Sequence, residues 1–182
     1  MVKKQMKVIM VAVSSVNGKI TKDTDPNIYK WTSQEDKKLF FSLIEINNLI
    51  VMSSKTYEAA RDKIKLSSNK LRIVLTRSPK KYADEAVPSS LEFSSESPKA
   101  LVERLGKKGY SRMLLVGGGK INALFLKSKL VDELHLTIEP FIFSKGSNLV
   151  ADDKFDISLR LIKMVRLNKK GTLHLTYKVN KN

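Results

Sequence analysis

Short apolar runs recur along the chain and alternate with stretches of helical periodicity. Residues 7–14 form a near-continuous apolar run, which is typical of a strand buried on both faces. Residues 134–140 instead alternate apolar and polar side chains, as a strand with one buried face does. The segments predicted as strands are residues 7–14, 49–52, 71–75, 91–93, 113–116 and 134–140, the last extended by 141–143.

Helix signals lie between these strands. Thr32-Ser33-Gln34-Glu35 has the spacing of a capping box, and the apolar positions after it form one helix face. A second helix is predicted to start at Ser97-Pro98 and to close at Gly106. Residues 53–57 and 117–125 indicate two further junctions at which a strand passes into a helix.

The last part of the chain predicts an antiparallel hairpin. Residues 157–167 and 172–179 are typical of two long strands, and the turn residues 168–171 join them. Alternating strands and helices followed by such a hairpin predict an α/β fold with a mixed sheet and helices on both faces. We expect residues 1–182 to form one domain, since this length suits a single full-sized core.

Composition narrows the class of protein. The chain has no cysteine, which excludes disulfides and thiolate metal sites. No apolar run approaches the length of a membrane span, and residues 1–7 precede no signal-peptide core. These features favour a cytoplasmic protein that makes no contact with a membrane.

The formal charge is +16, and much of it lies in two blocks. Seven Lys or Arg and no acid occur between Glu103 and Asp132, and no acid follows Asp156. Such an excess suits nucleic acid or phosphorylated small molecules. The alternative is a lysine-rich proteome. Too few aromatic residues accompany the basic hairpin for base stacking, which argues against a nucleic-acid platform.

The triple glycine Gly117-Gly118-Gly119 is the strongest local signal. It follows a buried strand and precedes a short apolar helix face. Glycine allows a ligand to approach the backbone, and a helix N-terminus attracts anions, so a phosphate or dinucleotide contact is one interpretation. An ordinary tight turn is the other. The stretch matches neither a Walker loop nor a Rossmann fingerprint.

Polar or basic side chains follow three of the predicted strands. They occur at residues 53–56, at Thr76-Arg77 and at residues 117–120. In an open α/β sheet, ligands bind at the carboxyl ends of the strands. Convergence of these three ends predicts an elongated anion-binding crevice of dinucleotide size.

Several motifs together resemble a known family. They are Ser14-Ser15-Val16-Asn17-Gly18-Lys19-Ile20, Trp31-Thr32-Ser33, residues 49–56, Val116 to Gly119, and residues 130–134 leading to Pro140. In this order and spacing the chain resembles the dihydrofolate-reductase-like superfamily. Within it, the chain is similar to the reductase (C-terminal) domain of bacterial riboflavin biosynthesis deaminase-reductases and their stand-alone relatives. The resemblance implies a three-layer α/β/α sandwich, an NADPH-dependent reductase and a homodimer.

The resemblance also implies roles for individual residues. Thr76 and Arg77 would contact the adenosine ribose and its 2′-phosphate, and Ala12 would lie beside the nicotinamide. Asn17 and Trp31 would border the substrate, with Lys19 polarising a carbonyl or imine during hydride transfer. The other residues implied to bind the cofactor, mainly through its phosphates, are Ser53, Lys55, Thr56, Gly117, Gly118, Gly119 and Lys120.

The sequence indicates the substrate less clearly than it indicates the cofactor. The riboflavin enzymes usually carry Glu where Gly117 stands and Asp where Asn17 stands. These departures weaken the assignment of the riboflavin substrate more than that of the cofactor. A phosphorylated ribosylaminopyrimidine is still the preferred substrate class, and a pterin or folate is the runner-up. In dihydrofolate reductases a carboxylate on the first helix assists protonation, and the resemblance implies that Asp36 would be its counterpart here. The alternative is an ordinary acid at a solvated helix N-terminus, where acids are favoured. A third hypothesis is a non-catalytic basic module that binds nucleotides or nucleic acid.

Two other groups of residues receive structural interpretations. His135 and His174 fall in alternating strand segments, and no carboxylate pattern marks either as a base or a ligand. Asp132-Glu133 is expected to form a turn between a helix and a strand.

Overall fold

Eight strands form one mixed sheet in the computed structural model, which describes residues 5–181. Their spatial order is β4-β3-β2-β5-β1-β6-β8-β7. Six strands, from β4 to β6 in that order, run parallel, and β8 is antiparallel to both β6 and β7. The strands are β1 (Lys7–Ser15), β2 (Leu49–Ser53), β3 (Leu71–Leu75), β4 (Leu91–Ser94), β5 (Arg112–Leu115), β6 (Glu133–Glu139), β7 (Leu159–Arg166) and β8 (Leu173–Val179).

Helices cover both faces of this sheet. They are α1 (Gln34–Glu45), α2 (Ser54–Ala60), α3 (Pro98–Lys107) and α4 (Gly119–Lys127), with 3₁₀ segments at Ile28–Lys30, Arg61–Lys63 and Pro79–Glu85. Helices α3 and α4 pack on one face, and α1 and α2 pack on the other. The predicted three-layer α/β/α sandwich with a C-terminal antiparallel hairpin is confirmed.

Residues 1–4 and 182, which belong to the predicted domain 1–182, lie outside the described residues. Among the residues that are described, no helix is long and apolar enough to cross a membrane.

Strand β1 shows why the middle of the sheet is apolar. Its side chains alternate between the two faces, so Val8 and Met10 join the core under α3 and α4. Ile9 and Val11 join the core under α1 and α2. Burying each such side chain contributes about 1.5–3 kcal/mol. A near-continuous apolar run is therefore required, as predicted for residues 7–14.

Helix α1 starts one residue later than its sequence signal indicates. Its N-cap is Ser33, whose hydroxyl accepts the Asp36 N–H at 3.2 Å. The Ser33 N–H does not bind a capping-box glutamate but donates to Glu139 at 2.6 Å. The capping box predicted from Thr32 is wrong, because buried Glu139, distant in sequence, takes the place of the local acid.

The segment after β6 leaves the sheet instead of extending it. Residues 141–143 are not in a strand, so that part of the strand prediction is wrong. The Val16 N–H donates to the Phe141 carbonyl at 2.8 Å, which brings the segment against the turn after β1. The hairpin predicted beyond it is confirmed as β7 and β8.

Residues 146–151 cross directly over the start of α4. The Ala151 N–H donates to the Gly119 carbonyl at 3.0 Å. A Cβ on Gly119 would lie 2.4 Å from the Asn148 carbonyl oxygen, far inside van der Waals contact. Gly119 is therefore required by the crossing chain itself, whatever ligand the glycine loop binds.

Gly119→Ala is expected to destabilise the protein by about 1–3 kcal/mol, because the crossing segment must move to accommodate the methyl group. The measurement is thermal unfolding of the variant beside wild type. Gly106→Ala is the control, since a methyl group there meets only the end of the Met6 side chain, at 4.0 Å. It lies inside α3, where alanine favours the helix by about 1 kcal/mol. Equal stability of Gly119→Ala and wild type would contradict the crowding.

Candidate active site

The carboxyl ends of β3, β2 and β5 lie side by side. These strands are neighbours in the sheet and run parallel. The Ser53 N–H donates to the Gly117 carbonyl at 2.9 Å, which ties the end of β2 to the glycine loop after β5. The predicted convergence of the three strand ends is confirmed.

A cleft of about 2050 Å³ runs across these ends and continues along α1. Its volume exceeds that of a site for one small molecule, which is about 300–1,000 Å³, and so suits a cofactor together with a substrate. Every residue predicted to bind the cofactor lines this cleft, as does Asp36. The predicted residues on its walls are Ala12, Asp36, Ser53, Lys55, Thr56, Thr76, Arg77, Gly117, Gly118, Gly119 and Lys120.

Three exposed cations stand at the strand ends. They are Lys55 on α2, Arg77 after β3 and Lys120 on α4. Among the described residues none of the three has an ion-pair partner. Exposed and unpaired, they remain available to an anionic ligand.

Ser53 and the glycine loop shape the backbone between these cations. The Ser53 hydroxyl accepts the Thr56 N–H at 3.2 Å and the Gly118 N–H at 3.3 Å. Gly117 has φ +91°, a left-handed conformation that favours glycine, and a cis peptide bond joins it to Gly118. The first turn of α4 then presents backbone N–H groups without intrahelical acceptors. This donor set suits phosphate oxygens.

Asp36 is a buried carboxyl on the cleft wall. It lies in the first turn of α1 and is 6% exposed. Burial raises its pKa to about 6, and the negative Glu139 acts in the same direction. The hydrogen bond from Thr137 opposes this rise. A carboxyl with such a pKa holds a proton in part of the molecules near neutral pH and can donate it.

Thr137 connects Asp36 to His174. The Thr137 hydroxyl oxygen lies 3.1 Å from Nδ1 of His174, across the β6–β8 pair. Burial lowers the pKa of His174 to about 4, so its imidazole is neutral at physiological pH. When Thr137 donates to Asp36, its oxygen accepts the Nδ1–H of His174.

Thr137 and His174 both line the cleft, and sequence reasoning missed them as site residues. The structural interpretation given to His174 is incomplete, because its ring stands at the cleft wall. The pairing of Thr137 with His174 in the sheet is what brings the two together. No local motif marks either position.

Three predicted site residues do not line the cleft. Asn17 accepts the Phe143 N–H at 3.1 Å and donates to its carbonyl at 2.8 Å, which fixes the turn after β1. Lys19 donates to Asn148 at 2.7 Å. Trp31 packs edge-on against Phe143 with ring centroids 5.2 Å apart. Their predicted contacts with substrate stay predictions.

Asp132 and Glu133 have structural partners, as expected. The Asp132 carboxylate accepts the Val8 N–H at 2.7 Å and pairs with Lys181 at 2.6 Å. Glu133 pairs with Lys7 at 2.6 Å. Neither residue lines the cleft.

Comparison with known proteins identifies the fold and the family. Residues 6–173 match the family model described as the RibD C-terminal domain. The uncharacterised protein YyaP of Bacillus subtilis (strain 168) is 27% identical over 116 residues, which are 64% of this chain and 58% of that protein. The chain therefore spans less than two thirds of the length of that curated relative.

Solved structures share the fold. A pyrimidine reductase-like protein of Corynebacterium diphtheriae superposes with a TM-score of 0.80 at 19% identity, covering 98% of this chain and 94% of that one. A Thermotoga maritima deaminase and 5-amino-6-(5-phosphoribosylamino)uracil reductase gives 0.75 at 18% identity, covering 97% of this chain and 57% of that one. Dihydrofolate reductase of Enterococcus faecalis gives 0.66 at 20% identity, covering 97% and 98%. The predicted dihydrofolate-reductase-like fold is confirmed.

Asp36→Asn is expected to stabilise the protein progressively as the pH rises. The folded pKa of Asp36 is about 6, above its ordinary value of 3.8. Its contribution to stability is therefore fully present below pH 4 and is lost as the pH rises through 6. The loss amounts to about 3 kcal/mol. The measurement is the difference in unfolding free energy between variant and wild type from pH 4.5 to 7.5.

The variant must be compared with wild type at each pH, because the titration of His174 changes the stability of both proteins in the opposite direction. Its lowered pKa destabilises the folded protein as the pH falls from about 6.5 to about 4. Glu35→Gln on the exposed start of α1 is the control, because the helix-start N–H lowers the pKa of Glu35. Its stability difference should run opposite to that of Asp36→Asn. A pH-independent difference for Asp36→Asn would contradict a raised pKa.

Proposed function

The chain belongs to the RibD C-terminal domain family, and from that premise we propose that it is an NADPH-dependent reductase. The family is one of oxidoreductases. The observation that carries the proposal is the arrangement of three unpaired cations and the start of α4 around the adjacent ends of β3, β2 and β5. An extended dinucleotide with several phosphate groups matches this spread of positive charge.

The residues at the strand ends fit the parts of this cofactor. Arg77 suits a 2′-phosphate, because a planar guanidinium binds phosphate oxygens in a bidentate manner. Lys55, Lys120 and the first N–H groups of α4 suit the pyrophosphate. Ala12, in the middle strand β1, offers a small side chain on the cleft wall where the nicotinamide ring requires room. NADPH bound there supplies a hydride.

The preferred substrate is a phosphorylated ribosylaminopyrimidine of the riboflavin biosynthesis type. Support comes from the family and from the printed name of the Thermotoga maritima neighbour. A carbonyl or imine carbon that accepts a hydride requires one proton on the attached oxygen or nitrogen. Asp36 is the buried carboxyl in the cleft whose raised pKa allows it to hold this proton. The Thr137 hydroxyl orients the carboxyl through its hydrogen bond, and His174 holds Thr137 through a second hydrogen bond.

A pterin is the second candidate substrate, and one observation favours it. Asp36 lies on the first helix and is buried in the cleft, as the proposed counterpart of the dihydrofolate reductase carboxylate. The glycine at position 117, where the riboflavin enzymes usually carry Glu, is consistent with this alternative.

The first test is binding of NADPH and NADH, followed by fluorescence quenching or energy transfer from Trp31, the single tryptophan. NADPH is expected to bind more tightly than NADH. Arg77→Ala is expected to weaken NADPH binding by about tenfold to a hundredfold, as the loss of a charged hydrogen bond predicts. NADH affinity should stay unchanged.

Arg160→Ala is the matched control, because it removes the same charge from the exposed hairpin. It should leave NADPH affinity near that of wild type. Absence of NADPH and NADH binding at high concentration would overturn the reductase proposal. Duplex binding with a steep salt dependence would then support the basic, non-catalytic module.

Turnover tests the role of Asp36. With a reducible ribosylaminopyrimidine phosphate, or with dihydrofolate for the alternative, Asp36→Asn should lower kcat by about 10²–10⁴-fold. NADPH affinity should be retained, because the change removes only the proton donor. The rate is followed by the loss of NADPH absorbance. A variant that turns over at the wild-type rate would show that the proton comes from another group.

A further inference from the structure

Glu139 is a buried carboxylate at the carboxyl end of β6. It is 2% exposed, and no Lys or Arg pairs with it among residues 5–181. Burying a charge without an ion pair is unfavourable unless hydrogen bonds satisfy it. An apolar side chain of similar volume would favour the folded state more. The carboxylate therefore indicates a role beyond stability.

Both oxygens of Glu139 accept hydrogen bonds from other elements of the fold. Oε1 accepts the Ser33 N–H at 2.6 Å, and Oε2 accepts the Thr172 hydroxyl at 2.7 Å. Ser33 is the N-cap of α1, and Thr172 directly precedes β8 in the hairpin. Both partners donate, which suits an ionised carboxylate, since that form only accepts hydrogen bonds. Glu139 thus ties the start of α1 to the hairpin.

The hairpin turn makes a second contact with α1. Nδ2 of Asn168 donates to the Thr172 hydroxyl at 2.9 Å and to the Glu35 carboxylate at 3.2 Å. Thr172 is itself buried, and Glu35 directly precedes Asp36 in the first turn of α1. That turn is therefore held both from the end of β6 and from the hairpin.

Ser33 passes this constraint to Asp36. The Ser33 hydroxyl accepts the Asp36 N–H at 3.2 Å, so the backbone that Glu139 holds is the backbone that places Asp36 in the cleft. The negative charge of Glu139 also acts directly, because a like charge disfavours the ionised form of Asp36. Glu139 thus influences both the position of Asp36 and its protonation.

The other groups around Asp36 do not supply this effect. The side chains that act on Asp36 or on its hydrogen-bond partner are Lys37, Tyr29, Thr137, His174 and Glu139. Lys37 and the Thr137 hydroxyl favour the ionised carboxylate. Tyr29 and His174 are neutral at physiological pH, because burial raises the pKa of the phenol and lowers the pKa of the imidazole to about 4. Of these five side chains, Glu139 alone favours the protonated acid through its charge.

We propose that Glu139 is a positioning residue for Asp36, acting through the start of α1 and through its own negative charge. This inference rests on the proposed function only in treating Asp36 as the proton donor of the reduction. Glu139 does not line the cleft, so it acts through Asp36 and not on a ligand. Its effect is to keep the proton on Asp36 up to a higher pH.

The test is a carboxyl-carbon NMR titration of the ligand-free protein, with Asp36→Asn used to assign the Asp36 signal. In wild type Asp36 should titrate near pH 6. Glu139→Gln keeps the length of the side chain and removes its charge, so Asp36 should titrate at lower pH, closer to its ordinary pKa of 3.8. Glu133→Gln is the control, because it removes a carboxylate from the same strand outside the cleft. It should leave the Asp36 titration unchanged.

A second measurement does not require Glu139→Gln to fold. Because the two carboxyl groups interact, the Glu139 signal of wild type should show a step near pH 6, where Asp36 titrates, and Asp36→Asn should abolish that step. Absence of this step in wild type would overturn the positioning role. An Asp36 titration that is the same in Glu139→Gln as in wild type would do so too.

Turnover gives a third measurement once a substrate is in hand. A proton donor must be protonated, so kcat of Glu139→Gln at pH 7 should fall about tenfold for each pH unit by which the Asp36 titration moves down. A kcat that does not follow the titration would contradict the link between Glu139 and proton donation. The NMR titrations use neither NADPH nor substrate, so failure of the reductase proposal is separately visible.

Discussion

The parallel pairing of β3, β2, β5 and β1 is the constraint on which the rest of the structure depends. Parallel strands present their carboxyl ends at one edge, so the polar junctions after β3, β2 and β5 meet there. The same pairing requires helices on both faces, which sets α1 above the cleft and α4 at its glycine loop. A one-residue slip in this pairing would turn every side chain of the slipped strand to the opposite face of the sheet.

Two buried ionisable groups along this cleft are held at a cost to stability. Asp36 is desolvated beside Glu139, and Arg72 is desolvated without a counter-charge among residues 5–181. Apolar residues at both positions would favour the folded state. Such groups are typical of sites where activity is retained at the expense of stability. They lie at separate points of one cleft.

Local patterns predicted the strands, the hairpin and the glycine-loop junction, because burial and turn chemistry act over a few residues. They failed where distant segments decide the outcome. The cap of α1 is Ser33 and not Thr32, because Glu139, distant in sequence, accepts the Ser33 N–H in place of a local acid. No local pattern marks Arg72, since one charged residue in an apolar strand forms no motif. That its Nη1 is buried without a hydrogen-bond partner in the described part of the chain is visible only in the structure.

Hydrogen–deuterium exchange with and without NADPH tests the central claim most directly. The claim is that the cofactor lies across the ends of β3, β2 and β5. Protection is predicted in peptides covering residues 53–57, 76–78 and 117–121, with the basic hairpin of β7 and β8 unchanged. Protection confined to that hairpin, or none in the three junctions under saturating NADPH, would contradict the account.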